Sequence, residues 1–242
     1  VKLLCGKNVE DILLKYSSVI FTIIKELEPL HNLKQVNKYN IYNAWEHTVR
    51  SVACINPDPK LRVAMLLHDI GKAKCTSTDQ SGISHFYGHP KVSEEMADKI
   101  LHSLKFPKKF IESVLILIKN HDAWVYNNPH KLGRWINQIG EENLRDLLEV
   151  MRADILAQSP KFNDRLELID ECVRKIDDIV SSKECVRISE LSVNGNDIQA
   201  FGITDGKEIG LALEFLLNEV MDKRVKNEKE LLLIHLKNNT KQ

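Results

Sequence analysis

Apolar residues recur at three- and four-residue spacing through most of this 242-residue chain. That period is typical of α-helices that bury one face. Alternation of apolar and polar residues, the pattern of half-buried strands, is confined to short runs, and hairpin-turn pairs of Gly or Pro are scarce. The sequence therefore predicts an all-α fold, and a chain of this length can bury a substantial core.

The apolar spacing also predicts where the helices lie. We expect helices over residues 8–28, 42–55, 61–68, 90–104, 111–120, 141–157, 164–180, 206–223 and 228–237. Pro29 should end the first of them, and Gly71 should close the helix over 61–68 with a left-handed cap. Residues 74–89 read as a loop, and Asn194-Gly195-Asn196 reads as a turn. We expect residues 1–160 to form the main helical domain and residues 161–242 a C-terminal helical region.

Composition narrows the classes of function. Lys and Arg total 34, as do Asp and Glu, so no overall basic field favours nucleic acid. The five cysteines are odd in number and show no C-x-x-C spacing, which argues against a disulfide framework and favours a reducing cytoplasm. No apolar run is long enough to span a membrane, and we expect no membrane partner. No signal peptide is visible, and the sequence opens on Val1.

The segment LLHDIGK places His68 and Asp69 side by side at the end of an apolar helix. Both side chains can reach one cation if it lies beside the helix end. The alternative is a polar C-terminal turn, which the apolar run from Val63 to Leu67 disfavours because it draws this end into the core. The pair is therefore a candidate metal-binding group.

His47 and Asp154 extend the candidate set. Asp154 shares a helix face with Leu147 and Met151, where a carboxylate is costly unless it is paired or bound to a cation. A buried salt bridge or cap explains Asp154 equally well, and a satisfied core histidine is the commoner explanation of His47. Together with His68 and Asp69 they offer two imidazoles and two carboxylates, which suits Mn, Fe, Co, Ni, Zn or Mg.

Three more polar residues lie beside predicted helix ends. His89 precedes one helix, His121 follows another, and Lys72 follows Gly71. Either histidine could bind a second metal or contact a phosphate, with a capping role as the alternative. Lys72 could meet a phosphate oxygen, or it could be a solvated surface lysine.

Taken together, these segments resemble those of a known protein family. His47, HDIGK, HFYGH, NHD and RADILAQSP resemble the HD superfamily of metal-dependent phosphohydrolases. The chain is similar nearly end to end to the C-terminal, HD-containing part of bacterial tRNA nucleotidyltransferases, the CCA-adding enzymes, and of their poly(A) polymerase relatives. YNIYNAWEHT and LSVNGNDIQAFGITDGKEIGLALEFLLNEV carry the closer likeness.

The resemblance implies an HD-domain helical bundle with additional C-terminal helices. It implies that His47, His68, Asp69 and Asp154 bind the metal, and that His89 and His121 serve a second metal or the phosphate. It further implies 2',3'-cyclic phosphodiesterase or phosphatase activity on nucleotides or RNA ends, with a C-terminal region that helps hold tRNA. For the mechanism, we expect Asp69 to contact both metals if there are two, or to orient the attacking water if there is one. His89, His121 and Lys72 would balance the developing negative charge, and either histidine could protonate the leaving oxygen.

The sequence departs from the family pattern in two ways. Asn40 and Asn43 stand where a His and an Asp are expected, which suggests altered contacts around the ligands or the substrate. A Gly-Ser pair followed by a D-x-D pair is missing, so the carboxylates that nucleotidyl transfer needs are not in this sequence. We expect that the chain alone does not add nucleotides, and is either a headless relative or a fragment of a longer enzyme.

A rival hypothesis is a non-catalytic RNA-binding module. Five lysines between residues 99 and 119 could contact phosphates, namely Lys99, Lys105, Lys108, Lys109 and Lys119. Gly206 and Gly210 flank a helix start that could receive a phosphate. A third hypothesis, hydrolysis or sensing of a signalling nucleotide, fits the C-terminal pattern less well. The complete set of candidate ligands favours the enzyme.

Overall fold

The computed structural model describes residues 1–123, 125, 127–182 and 184–239, and confirms the all-α class. Thirteen α-helices and two short strands occur in this described part of the chain. The helices are α1 (Val9–Lys15), α2 (Ser17–Ile23), α3 (Ala44–Cys54), α4 (Pro59–Leu67), α5 (Lys72–Cys75), α6 (His89–Ser103), α7 (Lys108–Asn120), α8 (Pro129–Ile139), α9 (Glu141–Leu156), α10 (Arg165–Ser181), α11 (Gly195–Ala200), α12 (Gly206–Met221) and α13 (Lys229–Asn239). The strands are β1 (Ser77–Thr78) and β2 (Ser84–His85), and 3₁₀ helices cover Lys25–Asn32, Pro160–Phe162 and Ile188–Glu190.

The chain divides into two compact units. The first contains residues 1–124 and 142–170, and the second contains residues 125–141 and 171–242. The sequence pattern predicts one boundary after residue 160, whereas in this division residues 125–141 go with the second unit and 161–170 with the first. The roles expected of the two regions stay predictions.

Helix α4 forms the centre of the first unit. Every residue from Leu61 to Leu67 is buried, and α4 packs against α3 and α7. Asp58 caps the helix by accepting hydrogen bonds from the backbone N–H groups of Lys60 and Leu61, and Pro59 occupies the first turn. Capping and apolar content together fix where α4 begins and drive its far end, which carries the His-Asp pair, into the core.

Gly71 does not provide the predicted left-handed cap. Its backbone is right-handed, with φ −76° and ψ −16°, and it directly precedes α5. A Cβ atom built on Gly71 would lie 2.7 Å from the Ser93 backbone nitrogen and 2.8 Å from the His89 carbonyl oxygen. The glycine is required by this close approach of α6, rather than by the turn that the sequence suggested.

The predicted helix over 8–28 is wrong as a single element. It breaks after Lys15 and again at Ile24, and Pro29 lies inside the 3₁₀ helix instead of ending an α-helix. The segment SSVIFTII is rich in serine and β-branched residues, which favour helix continuation poorly. The break also changes which side chains are buried. Tyr16 and Ile23 are 49% and 61% exposed, whereas Phe21 is buried.

Residues 74–89 are more ordered than the predicted loop. Strands β1 and β2 pair antiparallel, with Ser77 opposite His85 and Thr78 opposite Ser84. Three residues after the end of β2, Gly88 adopts a φ of 76° and the chain enters α6. Strands this short carry too few residues for a period-two pattern to be visible in the sequence.

In the second unit, the apolar spacing did not predict α8. The turn predicted at Asn194 is wrong, because a helix starts there. Asn128 and Pro129 provide an N-cap and first-turn signal for α8. Asn194 is likewise an N-cap, since its side chain accepts hydrogen bonds from the Asn196 and Asp197 backbone N–H groups and starts α11. Across the described residues of both units, no helix has the length and apolar content that crossing a bilayer requires.

Candidate functional site

The first unit brings together all seven residues that the sequence singled out for chemistry. Together they lie on six helices or immediately beside the ends of those helices. His47 lies on α3, His68 and Asp69 follow α4, Lys72 begins α5, His89 begins α6, His121 follows α7, and Asp154 lies on α9. Six of the seven are buried, and the Asp154 side chain is 21% exposed, so the cluster opens towards solvent on the Asp154 side.

The Asp69 carboxylate lies at the centre of this cluster. Its Oδ2 atom lies 3.5 Å from His47 Nε2, 3.2 Å from His68 Nε2 and 2.6 Å from Lys72 Nζ. Its Oδ1 atom lies 3.2 Å from His89 Nε2 and 3.6 Å from His121 Nε2. One carboxylate therefore faces two pairs of imidazoles through its two oxygens.

Asp154 closes the His47–His68 side of the cluster. Its Oδ1 atom lies 2.9 Å from His47 Nε2 and 3.5 Å from His68 Nε2. Its other oxygen, Oδ2, accepts a hydrogen bond of 2.7 Å from Gln158 Nε2. The two carboxylates thus share the same pair of histidines.

Backbone carbonyls orient three of the four imidazoles in the same way. The Nδ1 atoms of His68, His89 and His121 each lie 2.7 to 2.9 Å from the carbonyl oxygen three residues earlier. A carbonyl only accepts, so Nδ1–H donates in each case, and a neutral ring then carries its lone pair on Nε2. His47 makes a weaker contact of the same kind, 3.3 Å from the Ala157 carbonyl. All four Nε2 atoms point into the cluster.

The electrostatic environment of the cluster favours positively charged groups. Burial alone would lower the pKa of His68, but the Asp69 carboxylate, followed by Asp154, outweighs burial and raises that pKa to about 10. Burial alone would raise the pKa of Asp69, but His68 and Lys72 hold it well below its usual range. Asp154 behaves similarly, because the neighbouring His47 and His68 imidazoles outweigh burial and hold its pKa well below its usual range. The pKa of His121 is lowered, chiefly by burial.

One buried atom at the centre, His68 Nε2, lacks a hydrogen bond to the described residues. It lies 3.2 Å from Asp69 Oδ2 and 3.5 Å from Asp154 Oδ1 without hydrogen-bond geometry, whereas Asp69 Oδ2 forms an ion pair with Lys72 Nζ at 2.6 Å. Unpartnered buried polar atoms are costly, so a native site that has them calls for a specific partner. Within the described residues, two groups have ligand atoms mutually within 4.8 Å, as a metal site requires: His47, His68 and Asp154, and His68, Asp69 and His121. The residues present therefore fit a divalent cation.

Three residues that support the cluster were missed in the sequence. Gln35 is buried and accepts a 2.8 Å hydrogen bond from Lys72 Nζ. Gln158 donates to Asp154, and Ser93 Oγ accepts from the Gly71 N–H group at 2.9 Å. Gln158 follows Asp154 by four residues, a helical neighbour spacing that could have identified it. Gln35 and Ser93 meet their partners from distant segments, for which the sequence gives no local signal.

The other candidate positions lie outside this cluster, and a role for them in binding phosphate stays a prediction. The five lysines between residues 99 and 119 are all exposed, and Lys108 and Lys119 pair with Glu112 and Glu94. At the start of α12, the Asp205 side chain accepts hydrogen bonds from the Lys207 and Glu208 N–H groups, so these two groups are already satisfied. Asn43 forms a capping box with Glu46 at the start of α3.

Fold and cluster together define an all-α protein with a buried histidine–aspartate site able to hold a cation. Residues 76–236, more than half of the chain, match the family described as "tRNA nucleotidyltransferase domain 2 putative", and the chain belongs to this family. It is 28% identical to the CC-adding tRNA nucleotidyltransferase of Thermus thermophilus over 90% of this chain and 50% of that protein. It is also 28% identical to the A-adding tRNA nucleotidyltransferase of Deinococcus radiodurans, over 66% of this chain and 37% of that protein. The chain thus spans about half the length, or less, of these curated relatives.

Proposed function

We propose that this chain is a metal-dependent phosphohydrolase of the HD class. Its substrate would be a phosphoester of a nucleotide or an RNA end, cleaved by a phosphatase or 2',3'-cyclic phosphodiesterase reaction. The observation that carries the proposal is the convergence of four imidazole Nε2 atoms on the carboxylates of Asp69 and Asp154.

The ligand assignment follows from which atoms face each other. His47, His68, Asp69 and Asp154 would hold one divalent cation. His89 and His121 face the other oxygen of Asp69, and would hold a second cation or contact the substrate phosphate. Mn, Fe, Co, Ni, Zn and Mg all accept such a nitrogen and oxygen donor set. When bound, a cation of this kind polarises a phosphoryl oxygen and makes water a stronger nucleophile at neutral pH.

The protein's own groups would manage charge and protons. Lys72, held between Asp69 and Gln35, would offer an ammonium group to the negative charge that develops on the phosphoryl oxygens. Burial lowers the pKa of His121, which favours a neutral ring that binds or accepts a proton. His89 would then protonate the leaving oxygen. Asp69 would orient the attacking water.

We also propose that the chain works with tRNA, as part of a longer nucleotidyltransferase or beside one. This rests on the family and on relatives that are named as tRNA nucleotidyltransferases and are about twice as long as the match or more. The C-terminal region would contribute to holding tRNA. The chain alone would not add nucleotides. A cytoplasmic location is the corresponding expectation.

The enzyme proposal is tested by hydrolysis assays on the full chain. Bis(p-nitrophenyl) phosphate, 2',3'-cyclic AMP and 2'-AMP would be offered with Mn, Ni or Mg, and with EDTA. We expect turnover only with metal, and its loss in His68→Ala and Asp69→Ala. His102→Ala is the matched control, because His102 pairs with Asp98 on an exposed part of α6. Turnover that survives both cluster substitutions would end the proposal.

A further inference from the structure

Two aromatic rings and two cations form a compact group in the first unit. The ring centroids of Tyr39 and Phe162 are 4.6 Å apart, with the rings tilted by 52°. Lys38 Nζ lies 4.8 Å from the Tyr39 centroid and 5.8 Å from the Phe162 centroid. Arg165 Cζ lies 5.3 Å and 5.9 Å from the same two centroids. We call these four residues the aromatic–cation group.

The positive charges of both cations in this group are available to attract an anion. Among the described residues, neither Lys38 nor Arg165 forms an ion pair with a carboxylate. Arg165 donates hydrogen bonds only to neutral acceptors, the Phe162 carbonyl and the Gln158 side-chain oxygen. A guanidinium held in place by neutral groups retains its full attraction for a phosphate.

The backbone around the rings is fixed by hydrogen bonds. The Tyr39 carbonyl accepts from the Ser159 N–H group at 2.8 Å, and the Tyr39 N–H group donates to Asn37 Oδ1 at 3.0 Å. Phe162 lies at the end of a 3₁₀ helix that begins one residue after Ser159. Tyr39 is nevertheless 37% exposed and Lys38 is exposed as well, so a ligand can reach this group from solvent.

One side chain joins this group to the His-Asp cluster. Gln158 donates from Nε2 to Asp154 Oδ2 and accepts at Oε1 from Arg165. Asp154 is the most exposed member of the cluster, so the aromatic–cation group lies beside its open side. A ligand with its phosphoester at the cluster would have its neighbouring portion over Tyr39 and Phe162.

We propose that the aromatic–cation group binds an unpaired nucleobase and an adjacent phosphate of the substrate. Every nucleobase offers a face to aromatic rings, and Arg and Lys meet phosphate oxygens. The substrate class is then a free nucleotide or a single-stranded RNA end, since a base inside a duplex is already stacked on both faces. The inference rests on the proposed function only in placing the reacting phosphoester at the His-Asp cluster.

The test compares two ligands that differ only in the base. Binding of AMP and of ribose 5-phosphate to the full chain would be measured by isothermal titration calorimetry in EDTA, so that turnover is not the readout. We expect AMP to bind at least about tenfold more tightly, the range that base–aromatic stacking supplies. Tyr39→Leu and Phe162→Leu should remove most of that preference, because leucine keeps apolar volume but cannot stack. Arg165→Met should weaken both ligands by a similar factor.

A matched control and a second measurement keep the test decisive. Tyr16→Leu removes another exposed tyrosine with a lysine over its ring, Lys15, and should leave both affinities unchanged. Saturation-transfer NMR on the unsubstituted protein should show contact to the adenine protons even if a variant fails to fold. Equal affinity for the two ligands, or a preference that survives both leucine variants, overturns the inference. A protein that prefers AMP over ribose 5-phosphate but hydrolyses none of the phosphoesters in the assays above would contradict the proposed function and leave this inference standing.

Discussion

His47 Nε2 lies 2.9 Å from Asp154 Oδ1, although the two residues are 107 positions apart in the sequence. The contact ties α3 to α9 within the first unit and places both side chains against His68 and Asp69. A buried pair of this kind is only weakly stabilising by itself, because both groups must lose their hydration. Its position next to the unpartnered His68 Nε2 atom is better explained by a shared cation.

Removing the charge of Asp154 should weaken metal binding. Asp154→Asn keeps the shape of the side chain but replaces a carboxylate with a neutral amide, so we expect at least about tenfold lower affinity for Mn. Metal content after dialysis and calorimetric titration measure the effect. Asp98→Asn, at an exposed carboxylate paired with His102, should leave the affinity unchanged. Equal metal affinity in Asp154→Asn and the unsubstituted protein would contradict the ligand assignment.

Metal binding should release a proton at neutral pH. In the cation-free cluster the pKa of His68 is raised to about 10, so the ring is protonated at pH 7 and must lose that proton to become a ligand. We expect release of about one proton per cation bound, with affinity rising as the pH increases towards 10. Titrations at pH 7 in buffers of different ionisation enthalpy count the protons. A count near zero would show that His68 does not bind the metal.

The cation-free protein should lose stability as the same group titrates. The folded-state pKa of His68 lies above its unfolded value of about 6.5, so its contribution is fully present below pH 6.5 and disappears as the pH rises towards 10. Urea unfolding in EDTA across this pH range measures the decrease. Saturating metal should remove this pH dependence by taking the place of the proton.

Gly71→Ala should destabilise the first unit. The new Cβ would meet backbone atoms of Ser93 and His89, which cannot rotate away, so we expect a loss of about 1–3 kcal/mol in the free energy of unfolding. His89 should move with α6, so hydrolysis should fall as well. Gly210→Ala, inside α12 with nothing within 4 Å of the new atom, should instead keep or gain stability. Chemical unfolding of both variants makes the comparison.

Lys72→Met should reduce turnover while leaving the fold intact. Methionine has a similar length but lacks the charge that lies 2.6 Å from Asp69 Oδ2, so we expect kcat/KM to fall about tenfold or more. Lys74→Met is the control, since Lys74 lies on the same short helix but is exposed. A similar kcat/KM for both variants on bis(p-nitrophenyl) phosphate would remove Lys72 from the mechanism.

Sequence alone was enough for the residues of the cluster but not for their arrangement. The HDIGK segment and Asp154 were recognisable because apolar neighbours forced polar groups into the core. The two Asp69 oxygens face different pairs of histidines because six helices meet at one point. No local sequence pattern predicts how these helices pack together. Gln35 shows the limit most clearly, because its partner Lys72 is 37 positions away and a glutamine in a connecting segment gives no signal.

The helix predictions succeeded and failed for identifiable physical reasons. Helices α3, α4, α9 and α12 were placed to within about two residues, because apolar periodicity and caps agree there. The prediction failed over residues 8–28, where the apolar periodicity continues although the helix breaks at Tyr16 and ends at Ile24. Gly71 was identified as special for the wrong reason, because a sequence shows that a glycine is present but not which distant backbone approaches it.

The seven cluster residues come from helices spread between residues 47 and 154, and most of them lie at a helix end. Helix ends are the first parts of a protein to open in local fluctuations. No short peptide cut from this region would inherit the site, and loosening any one contributing helix would dismantle it before the remaining structure melts. The site should therefore be lost at an early stage of partial unfolding, and this loss should be detectable while the helical content is still intact.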